Sequence, residues 1–225
     1  MNEFRVEGLI LKTVPYGEGH HILNVFSKEN GLIALFAKKR KKVSPSLLSP
    51  LVQAEFVIRQ GKGELYPCEE ISPLASFLKI RERIETLEAA FQILNALLAS
   101  QYPHKPAPHL YLLLIRYLHA LPHSLNANSL ATSFLLKTLR HEGVFGLSNS
   151  CATCQLPLES ESYIFEGETF CFEHSPSHAL SLNKEELNSL LFLASCRILP
   201  EISVYAPPAS LYQKTLDLFY QTFRA

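Results

Sequence analysis

The chain has 225 residues, of which 47% are hydrophobic, enough to build the cores of two or three small units. No window approaches the roughly eighteen uninterrupted apolar residues of a membrane helix. The opening Met-Asn-Glu-Phe-Arg also lacks the basic and apolar regions of an export signal. We therefore expect a cytoplasmic protein that does not enter membranes.

The formal net charge is zero, but the charges are unevenly distributed. Residues 1–62 contain ten Lys and Arg against five Glu, a net charge of +5, which leaves −5 for the remainder. A basic N-terminal part joined to an acidic remainder indicates that the N-terminal part binds a polyanion, whereas the remainder has a different function.

Short runs rich in β-branched and aromatic residues, separated by turn residues, predict five strands at the start of the chain. Between the second and third strands, Asn30-Gly31 predicts a type I′ turn, because both residues tolerate a positive φ. Five strands without a long helix favour a small closed barrel such as an OB-fold. The predicted strands are residues 4–11, 21–27, 32–37, 53–59 and 64–68.

The basic run Lys38-Lys39-Arg40-Lys41-Lys42 follows the third predicted strand directly. Adjacent cations repel one another, so a folded protein tolerates them where a polyanion or water neutralises them. Their position on a predicted barrel, together with Lys12 and Arg59, favours DNA binding. A solvated charge run and a nuclear-import tag are the alternatives. The candidate rings for base stacking are Phe36, Tyr16 and Tyr66. Each of these rings could instead belong to the core.

Beyond Pro73 the apolar residues change to helical spacing. The apolar face predicted for the first helix consists of Ile84, Leu87, Phe91, Leu94 and Leu98. A proline-rich stretch, 103–108, breaks this helix, and the next one, about 107–121, is so apolar that we expect it to be buried on most sides. Further helices are predicted over about 129–141, from Ser181 or Asn183 onwards, and over about 209–223.

Two cysteine-containing motifs predict a metal site. Cys151-Ala152-Thr153-Cys154 is followed sixteen residues later by Cys171-Phe172-Glu173-His174. Zinc prefers four tetrahedral Cys and His ligands, and a C-x-x-C turn directs both sulfurs at one ion. Residues 162–170 alternate and turn at Gly167, so we expect a hairpin that returns the second pair to the first. With four protein ligands, Cys151, Cys154, Cys171 and His174, the site should be structural.

Other interpretations of these cysteines remain open. The three thiols could be unrelated to one another, and His178 is the alternative fourth ligand. A zinc deaminase also uses C-x-x-C spacing, but its signature has proline before the first cysteine and His-x-Glu upstream. Here Ser150 precedes Cys151, and His141-Glu142 lacks the spacer. The two distant cysteines, expected to be small buried hydrophobic residues, are Cys68 and Cys196.

Motifs of nucleotide-dependent and nucleophilic enzymes are missing from the sequence. The chain has no Walker-type P-loop, no G-x-G-x-x-G between a strand and a helix, and no G-x-S-x-G elbow. The nine histidines are scattered rather than clustered. We therefore expect a protein without catalytic activity.

The order of these parts resembles the bacterial RecO family of recombination mediators. The resembling segments are 9–12, 16–18, 22–27 and 30–31, then 134–140, Gly143 and 151–154. The resemblance implies an α+β fold, with a five-stranded OB-fold barrel over 1–78 and an α-helical bundle over 79–225. A zinc-binding hairpin segment over 148–178 would interrupt that bundle. In one departure, His174 stands where many zinc-binding relatives have a fourth cysteine.

The resemblance also implies a function. Such a protein would lie in the cytoplasm at the nucleoid, bind single- and double-stranded DNA, and anneal complementary strands without ATP. It would work with RecR and with the C-terminal tail of single-strand-binding protein, and so help RecA to load. Because that tail is acidic and ends in an aromatic residue, its receptor should combine cations with an apolar pocket. The candidate cations, which could equally be ordinary surface charges, are Arg116, Lys137 and Arg140.

The sequence leaves two other functions open. The first is a zinc-ribbon adaptor that binds RNA or protein through its β head. The second is a zinc enzyme, which would need an open coordination position on the metal.

Overall fold

The structure is a computed structural model that describes residues 3–38, 44–59 and 63–223. Five strands come first and helices follow, with a small three-stranded sheet between the third and fourth α-helices along the chain, which confirms the predicted α+β class. The residues group into two compact units. The first consists of Met1–Arg83 and Leu97–His119, and the second of Ile84–Ala96 and Ala120–Ala225.

The first unit contains the strands β1 (Glu3–Tyr16), β2 (His20–Ser27), β3 (Gly31–Ala37), β4 (Val52–Arg59) and β5 (Leu65–Ser76). They form a closed barrel in the order β1-β2-β3-β5-β4, with β1 pairing with both β2 and β4. Neighbouring strands are antiparallel except for β3 and β5, which are parallel. The prediction of a five-stranded OB-fold barrel is thereby confirmed.

Alternating residues of the strands fill the inside of the barrel. Along β3, Ile33, Leu35 and Ala37 are buried, whereas the residues between them are partly exposed. β4 alternates in the same way, and its Phe56 is completely buried. The barrel therefore has a hydrophobic core of its own, and the outward positions of the strands are available for other contacts.

Two strands extend further than predicted. β1 continues past Leu11 to Tyr16 after a bulge between Ile10 and Lys12. β5 continues through Pro73 to its end, because its register with β4 shifts beside that proline. A proline is tolerated at a bulge, where its missing N–H interrupts no regular ladder. In neither extension do buried and exposed residues alternate regularly, and such alternation is the pattern that predicts a strand.

The predicted β2–β3 hairpin is present, but the type I′ prediction for Asn30-Gly31 was wrong. Three residues separate the paired Ser27 and Gly31, and only Gly31 has a positive φ, at 64°. In this longer loop the residue with left-handed backbone conformation is the first residue of β3, and glycine adopts that conformation without strain. A Cβ at Gly31 would lie 2.0 Å from the carbonyl oxygen of Lys105, which leaves no room for a side chain.

After β5 come the helices α1 (Ile84–Ser100) and α2 (Pro108–Ala120), and nearly all of α2 belongs to the barrel unit. The buried Tyr111 hydroxyl donates to Glu7 Oε1 at 3.1 Å and accepts from Gln53 Nε2 at 3.2 Å. Burial and the adjacent Glu7 carboxylate raise the pKa of Tyr111, so its hydroxyl remains a donor. These bonds attach α2 to β1 and β4.

The apolar face predicted for α1 was wrong at two of its five positions, because Ile84 is 62% exposed and Phe91 is 39% exposed. Leu94 is completely buried, as are Ala89, Ala90 and Ile93, which the predicted stripe did not include. Small residues allow a helix to pack closely, but they contribute little to a stripe that is recognised by its large side chains.

The second unit contains the helices α3 (Ala127–His141), α4 (Lys184–Ser195), α5 (Leu199–Val204) and α6 (Ala209–Phe223). α3, not α2 as predicted, is the helix buried on most sides, because it contacts α4, α5 and α6. On α2, Leu112 is 49% exposed. Within the part of the chain that the structure describes, no helix is long and apolar enough to span a membrane.

Two further predictions concern the residue that caps α4 and the burial of Cys196, which follows this helix. Asn183, rather than Ser181, caps α4: its side chain accepts from the Glu186 N–H, and Glu186 Oε2 accepts from the Asn183 N–H, both at 2.9 Å. Cys196, which follows α4, is only half-buried, so the expectation of a buried hydrophobic residue was wrong there. Cys68 in β5 is buried as expected.

Candidate metal centre and nucleic-acid interface

The segment between α3 and α4 contains the strands β6 (Ser162–Phe165), β7 (Glu168–Phe170) and β8 (Leu180–Leu182), in the sheet order β7-β6-β8. β6 and β7 form the predicted hairpin, with Phe165 paired to Glu168. Its two turn residues, Glu166 and Gly167, both have positive φ, at 48° and 79°. Positive φ at both central positions is the requirement of a type I′ turn.

The tip of this hairpin is fixed by close backbone contacts. Gly146 N–H donates to Gly167 O at 2.8 Å. A Cβ at Gly167 would lie 2.1 Å from the carbonyl oxygen of Val144, so a residue with a side chain does not fit there. The hairpin is thus held against the backbone that leads into the first cysteine pair.

Thr169 on β7 links the hairpin to the first cysteine pair. Its hydroxyl lies 3.0 Å from the carbonyl oxygens of both Ser148 and Ser150, and it accepts from the Ser148 N–H at 3.3 Å. The Ala152 N–H donates to Thr169 O at 2.8 Å. Sequence reasoning missed Thr169, because its role depends on the strand register and no spacing rule indicates it.

The first cysteine pair lies on a tight loop. The Gln155 N–H donates to Cys151 O and the Cys151 N–H donates to Leu156 O, each at 2.9 Å. Gln155 has a positive φ of 61°, which reverses the chain directly after Cys154. The loop brings both sulfurs to the same side.

The second pair completes a group of four donors. Cys171 follows β7 directly, and His174 ends the short 3-10 turn that comes next. His174 Nδ1 lies 3.2 Å from Cys171 Sγ and 3.8 Å from Cys151 Sγ. With Cys154, all four donor atoms lie within 4.8 Å of one another. Tetrahedral metal–sulfur bonds of about 2.3 Å separate two sulfurs by about 3.8 Å, so these residues fit one metal ion.

The local electrostatics favour a charged ligand at Cys151. Burial works against the thiolate, but backbone hydrogen bonds from Cys154, Cys171 and Thr153 outweigh it and lower the pKa of Cys151 to about 6. A backbone hydrogen bond from Leu156 favours the Cys154 thiolate, yet burial and the neighbouring thiols raise the pKa of Cys154. Because metals bind the thiolate form, the lowered pKa of Cys151 favours metal binding at this sulfur.

The predicted four-ligand set is therefore brought together. Among the described residues, the group that can hold a metal consists of Cys151, Cys154, Cys171 and His174, and it does not include His178. This agrees with the spacing in the sequence, in which His174 lies three residues after Cys171 and His178 lies seven residues after it.

Two of the predicted DNA-binding lysines are exposed on the barrel. Lys12 follows the bulge of β1 and pairs with Asn24 of β2. Lys38 directly follows β3. The other members of the basic run, Lys39, Arg40, Lys41 and Lys42, lie outside the described residues.

Arg59 lies at the end of β4 and is engaged by two carboxylates. Its Nε donates to Glu3 Oε1 at 2.9 Å, and its Nη1 lies 3.4 Å from Glu69 Oε1. The Glu3 hydrogen bond and the Glu69 charge raise the pKa of Arg59. Ala37 and Ile58 both pair with Cys68 of β5, so Lys38 and Arg59 each lie one residue beyond that level, but in opposite directions, because β3 is parallel and β4 antiparallel to β5.

An aromatic cluster lies on the outward face of β1–β3. The ring of Phe36 lies 5.9 Å from Tyr16 and 5.3 Å from His20, measured between centroids. Tyr16 is 56% exposed, so it is not a core residue. The strand registers place Lys12 and Tyr16 on this face as well, because Val14 pairs with Ile22 and Ile22 with Phe36. Tyr66, in contrast, packs against the barrel core.

The three partner-binding candidates have different surroundings. Lys137 Nζ donates to the carbonyl oxygen of Cys196 at 2.6 Å, so it stabilises the end of α4. Arg116 is exposed on α2 in the first unit. Arg140 lines a pocket of about 440 Å³ in the second unit together with Phe145, Leu147 and Leu191. Of the three, Arg140 is the cation that lies beside apolar side chains in a pocket.

Comparison with known proteins places both parts of the chain in one family. The family described as Recombination protein O N terminal matches residues 1–77, and Recombination protein O C terminal matches residues 81–222. The DNA repair protein RecO of Chlamydia pneumoniae is 29% identical over 218 residues, which covers 95% of this chain and 86% of the relative.

Two further relatives carry the same name. DNA repair protein RecO of Chlamydia trachomatis serovar D is 28% identical over 225 residues, covering 98% of this chain and 92% of the relative. That of Exiguobacterium sibiricum is 27% identical over 197 residues, covering 85% and 78%. Because the two family matches together span almost the whole chain, this protein belongs to the RecO family of DNA repair proteins.

Proposed function

We propose that this protein is a DNA-binding recombination mediator that works in DNA repair without ATP and without a catalytic step. It anneals complementary strands and, with RecR, helps RecA to load on single-stranded DNA coated by single-strand-binding protein. It acts in the cytoplasm, at the nucleoid. The observation that carries the proposal is an OB barrel whose outward face combines exposed lysines with a partly exposed aromatic cluster.

The cations and the rings have separate tasks in DNA binding. Lys12, Lys38 and the remaining basic run, Lys39 to Lys42, bind phosphates, which single and double strands both offer. Tyr16 and Phe36 stack on bases, which only single strands expose. A phosphate must compete with two carboxylates for Arg59, so Arg59 contributes less than the lysines.

Annealing follows from electrostatics. Two DNA strands repel each other through their phosphates at separations below about 10 Å, the screening length at moderate salt, and protein cations between them neutralise part of that charge. A barrel with a net positive charge can hold two strands close enough to find their pairing register. No covalent bond changes, so the protein acts in proportion to its amount.

The proposed metal is zinc, with a structural role. Three sulfur donors and one imidazole suit a tetrahedral zinc ion, and four protein ligands leave no position for a reacting water. When bound, zinc cross-links the two ends of the segment 148–178. In the proposed domain division, this segment interrupts the helical domain 79–225, and the barrel domain 1–78 binds DNA.

The acidic tail of single-strand-binding protein is proposed to dock at Arg140. Its carboxylates would pair with the guanidinium, and its terminal aromatic side chain would enter the pocket beside Phe145 and Leu191. Arg116 is a second candidate on α2. Lys137 is the weakest of the three, because it already binds the end of α4.

Annealing of coated strands tests the proposal. Complementary fluorescent oligonucleotides are covered with single-strand-binding protein and mixed with the full chain in the absence of ATP, and pairing is followed by energy transfer. We expect rapid pairing, which is lost when residues 38–42 are all replaced by alanine. Replacing Lys38 and Lys39 alone should slow pairing, whereas replacing Lys79 and Lys184, both exposed, removes the same two charges elsewhere and should not.

The same assay distinguishes the adaptor alternative. DNA binding through phosphates must weaken steeply as salt increases. If the chain binds oligonucleotides with no dependence on salt, or if the variant altered at 38–42 anneals as fast as the unaltered protein, the proposed function is wrong.

A further inference from the structure

The segment between α3 and α4 has a charge opposite to that of the barrel. Between Arg140 and Lys184 the sequence contains six Glu residues and no Lys or Arg. Phosphate backbones are repelled by such a surface, whereas cationic molecules are attracted to it. This metal-binding segment therefore has the wrong charge for a DNA contact.

A groove of about 610 Å³ lies beside the metal ligands in this segment. Four apolar residues line it, Leu156, Pro157, Leu158 and Phe172, and two of them are strongly exposed: Phe172 at 77% and Leu156 at 65%. Large apolar side chains that share one exposed groove are typical of an interaction surface. The floor of the groove includes Cys171 and His174, so metal binding would hold its shape.

Carboxylates surround this apolar surface. Glu159, Glu161 and Glu173 line the same groove and are all exposed. The Tyr163 hydroxyl donates to Glu161 Oε2 at 3.2 Å, and the Tyr163 ring lies 6.1 Å from that of Phe172. One tyrosine thus fixes a carboxylate and an apolar ring at a defined separation.

We propose that this groove, lined by residues 154, 156–161 and 171–174, binds a cationic segment of a partner protein. An apolar side chain of that segment inserts beside Phe172, and its Lys or Arg residues pair with Glu159 and Glu161. Burial of the ring supplies most of the affinity, and the carboxylates select partners by charge. The same carboxylates reject nucleic acid and acidic peptides.

Charge complementarity indicates which kind of partner segment binds in the groove. All three ionised groups in the groove besides the metal ligands carry negative charge. An acidic segment would leave these carboxylates unpaired and repelled, and a purely apolar one would desolvate them without compensation. Only a segment with both cations and an apolar side chain satisfies the ring and the carboxylates together.

Peptide binding to the full zinc-supplemented chain tests this inference without DNA. The probe is a fluorescein-labelled dodecapeptide of Lys, Arg and Leu, and its anisotropy reports binding. A Lys, Arg and Ser peptide of the same charge lacks the apolar side chains. We expect Glu159→Gln with Glu161→Gln, and separately Phe172→Ala, to weaken binding of the Leu peptide about tenfold or more.

The matched control removes two carboxylates elsewhere on the same hairpin. Glu166 and Glu168 do not line the groove, and Glu166→Gln with Glu168→Gln changes the net charge equally, so we expect less than about a twofold effect. Equal losses in the two double variants would show that net charge alone binds the peptide, and would overturn the inference. Equal affinity for the Ser peptide, or self-association of the chain through Phe172, would also overturn it.

Discussion

Lys214 on α6 donates through Nζ to Glu186 Oε2 on α4 at 2.8 Å, and the Glu186 side chain is only 2% exposed. Glu186 Oε1 accepts from the Ser210 hydroxyl at 2.5 Å, and Oε2 also accepts from the Asn183 N–H. A single buried carboxylate therefore closes the N-terminal cap of α4 and attaches α6 to it. Burial works against its charge, but the bonds from Lys214, Ser210 and Asn183 outweigh burial and lower the pKa of Glu186.

Replacing Glu186 with Gln should destabilise the second unit by about 2 kcal/mol at neutral pH, because the ammonium of Lys214 loses its counter-ion. The effect should depend on pH in one direction. A carboxyl whose pKa is lowered in the folded state stabilises the fold above its ordinary pKa of 4.5, and this stabilisation is lost as the pH falls through the lowered value. The difference between the two proteins should therefore shrink below pH 4.5.

Urea denaturation of both proteins across this pH range measures the difference. Glu185→Gln is the control, since Glu185 lies in the same first turn of α4 but is exposed. A constant difference down to low pH, or an equal loss in Glu185→Gln, would contradict the assignment.

Metal binding should depend on Cys154 and not on Cys196, although both thiols are half-buried. Cys154→Ser should abolish stoichiometric zinc and destabilise the second unit by several kcal/mol, because structural zinc binding contributes directly to folding. Cys196→Ser should retain one zinc ion per chain. Mass spectrometry of the purified proteins for metal content, with thermal unfolding before and after chelation, decides between these outcomes. If the Cys154→Ser variant retains zinc, Cys154 is not a metal ligand.

Loss of Lys12 and Lys38 should alter the salt dependence of single-stranded DNA binding. Each phosphate contact contributes about 0.7 to the slope of log affinity against log salt, so the double alanine variant should lose about 1.4 from the slope. Fluorescence titrations at several salt concentrations measure it. The Lys79→Ala and Lys184→Ala double variant removes the same charge elsewhere and should keep the original slope. Identical slopes in both double variants would argue against a phosphate contact at Lys12 and Lys38.

Tyr16→Ala should weaken binding to single strands and leave binding to double strands nearly unchanged. Stacking on one base contributes about 1–3 kcal/mol, which corresponds to roughly 5- to 150-fold in Kd. Tyr102→Ala is the matched control, because Tyr102 is 69% exposed but lies outside the ring cluster. If the two variants bind a single strand equally well, the cluster around Phe36 does not stack on bases.

The β2–β3 loop provides a test of the barrel. Gly31→Ala should destabilise the first unit by at least about 2 kcal/mol, because it adds a side chain at a φ of 64° and 2.0 Å from the Lys105 carbonyl. Gly63→Ala should have an effect below about 0.5 kcal/mol, since no atom lies within 4 Å of the added Cβ. Urea denaturation midpoints compare the two. A neutral Gly31→Ala would mean that the loop rearranges freely.

Local patterns predicted the parts of this protein that depend on residues close together in the chain. The spacing of Cys151, Cys154, Cys171 and His174 was sufficient to find the metal-binding group, because each pair converges within a single turn. The hairpin that joins the pairs was visible in the alternation on either side of Gly167. The capping box at Asn183 and Glu186 likewise needs only four residues.

Features that depend on distant neighbours were not predictable from those patterns. Whether α2 or α3 is enclosed depends on how many helices contact each, and not on composition, because α2 is the more apolar helix but the less enclosed one. The exposed position of Phe91 and the carboxylates beside Arg59 depend on packing and strand register. Thr169 became informative only once β7 was aligned with the first cysteine pair.

The barrel unit is assembled from two separated stretches of chain, and this bears on how the protein forms during translation. The ribosome releases the five strands first, then most of α1, and only afterwards the residues 97–119 that include Tyr111. Until that tyrosine emerges, Glu7 and Gln53 have no α2 hydroxyl to bond. The hydrogen bonds that attach α2 to the barrel therefore form only after the synthesis of a helix that belongs mainly to the other unit.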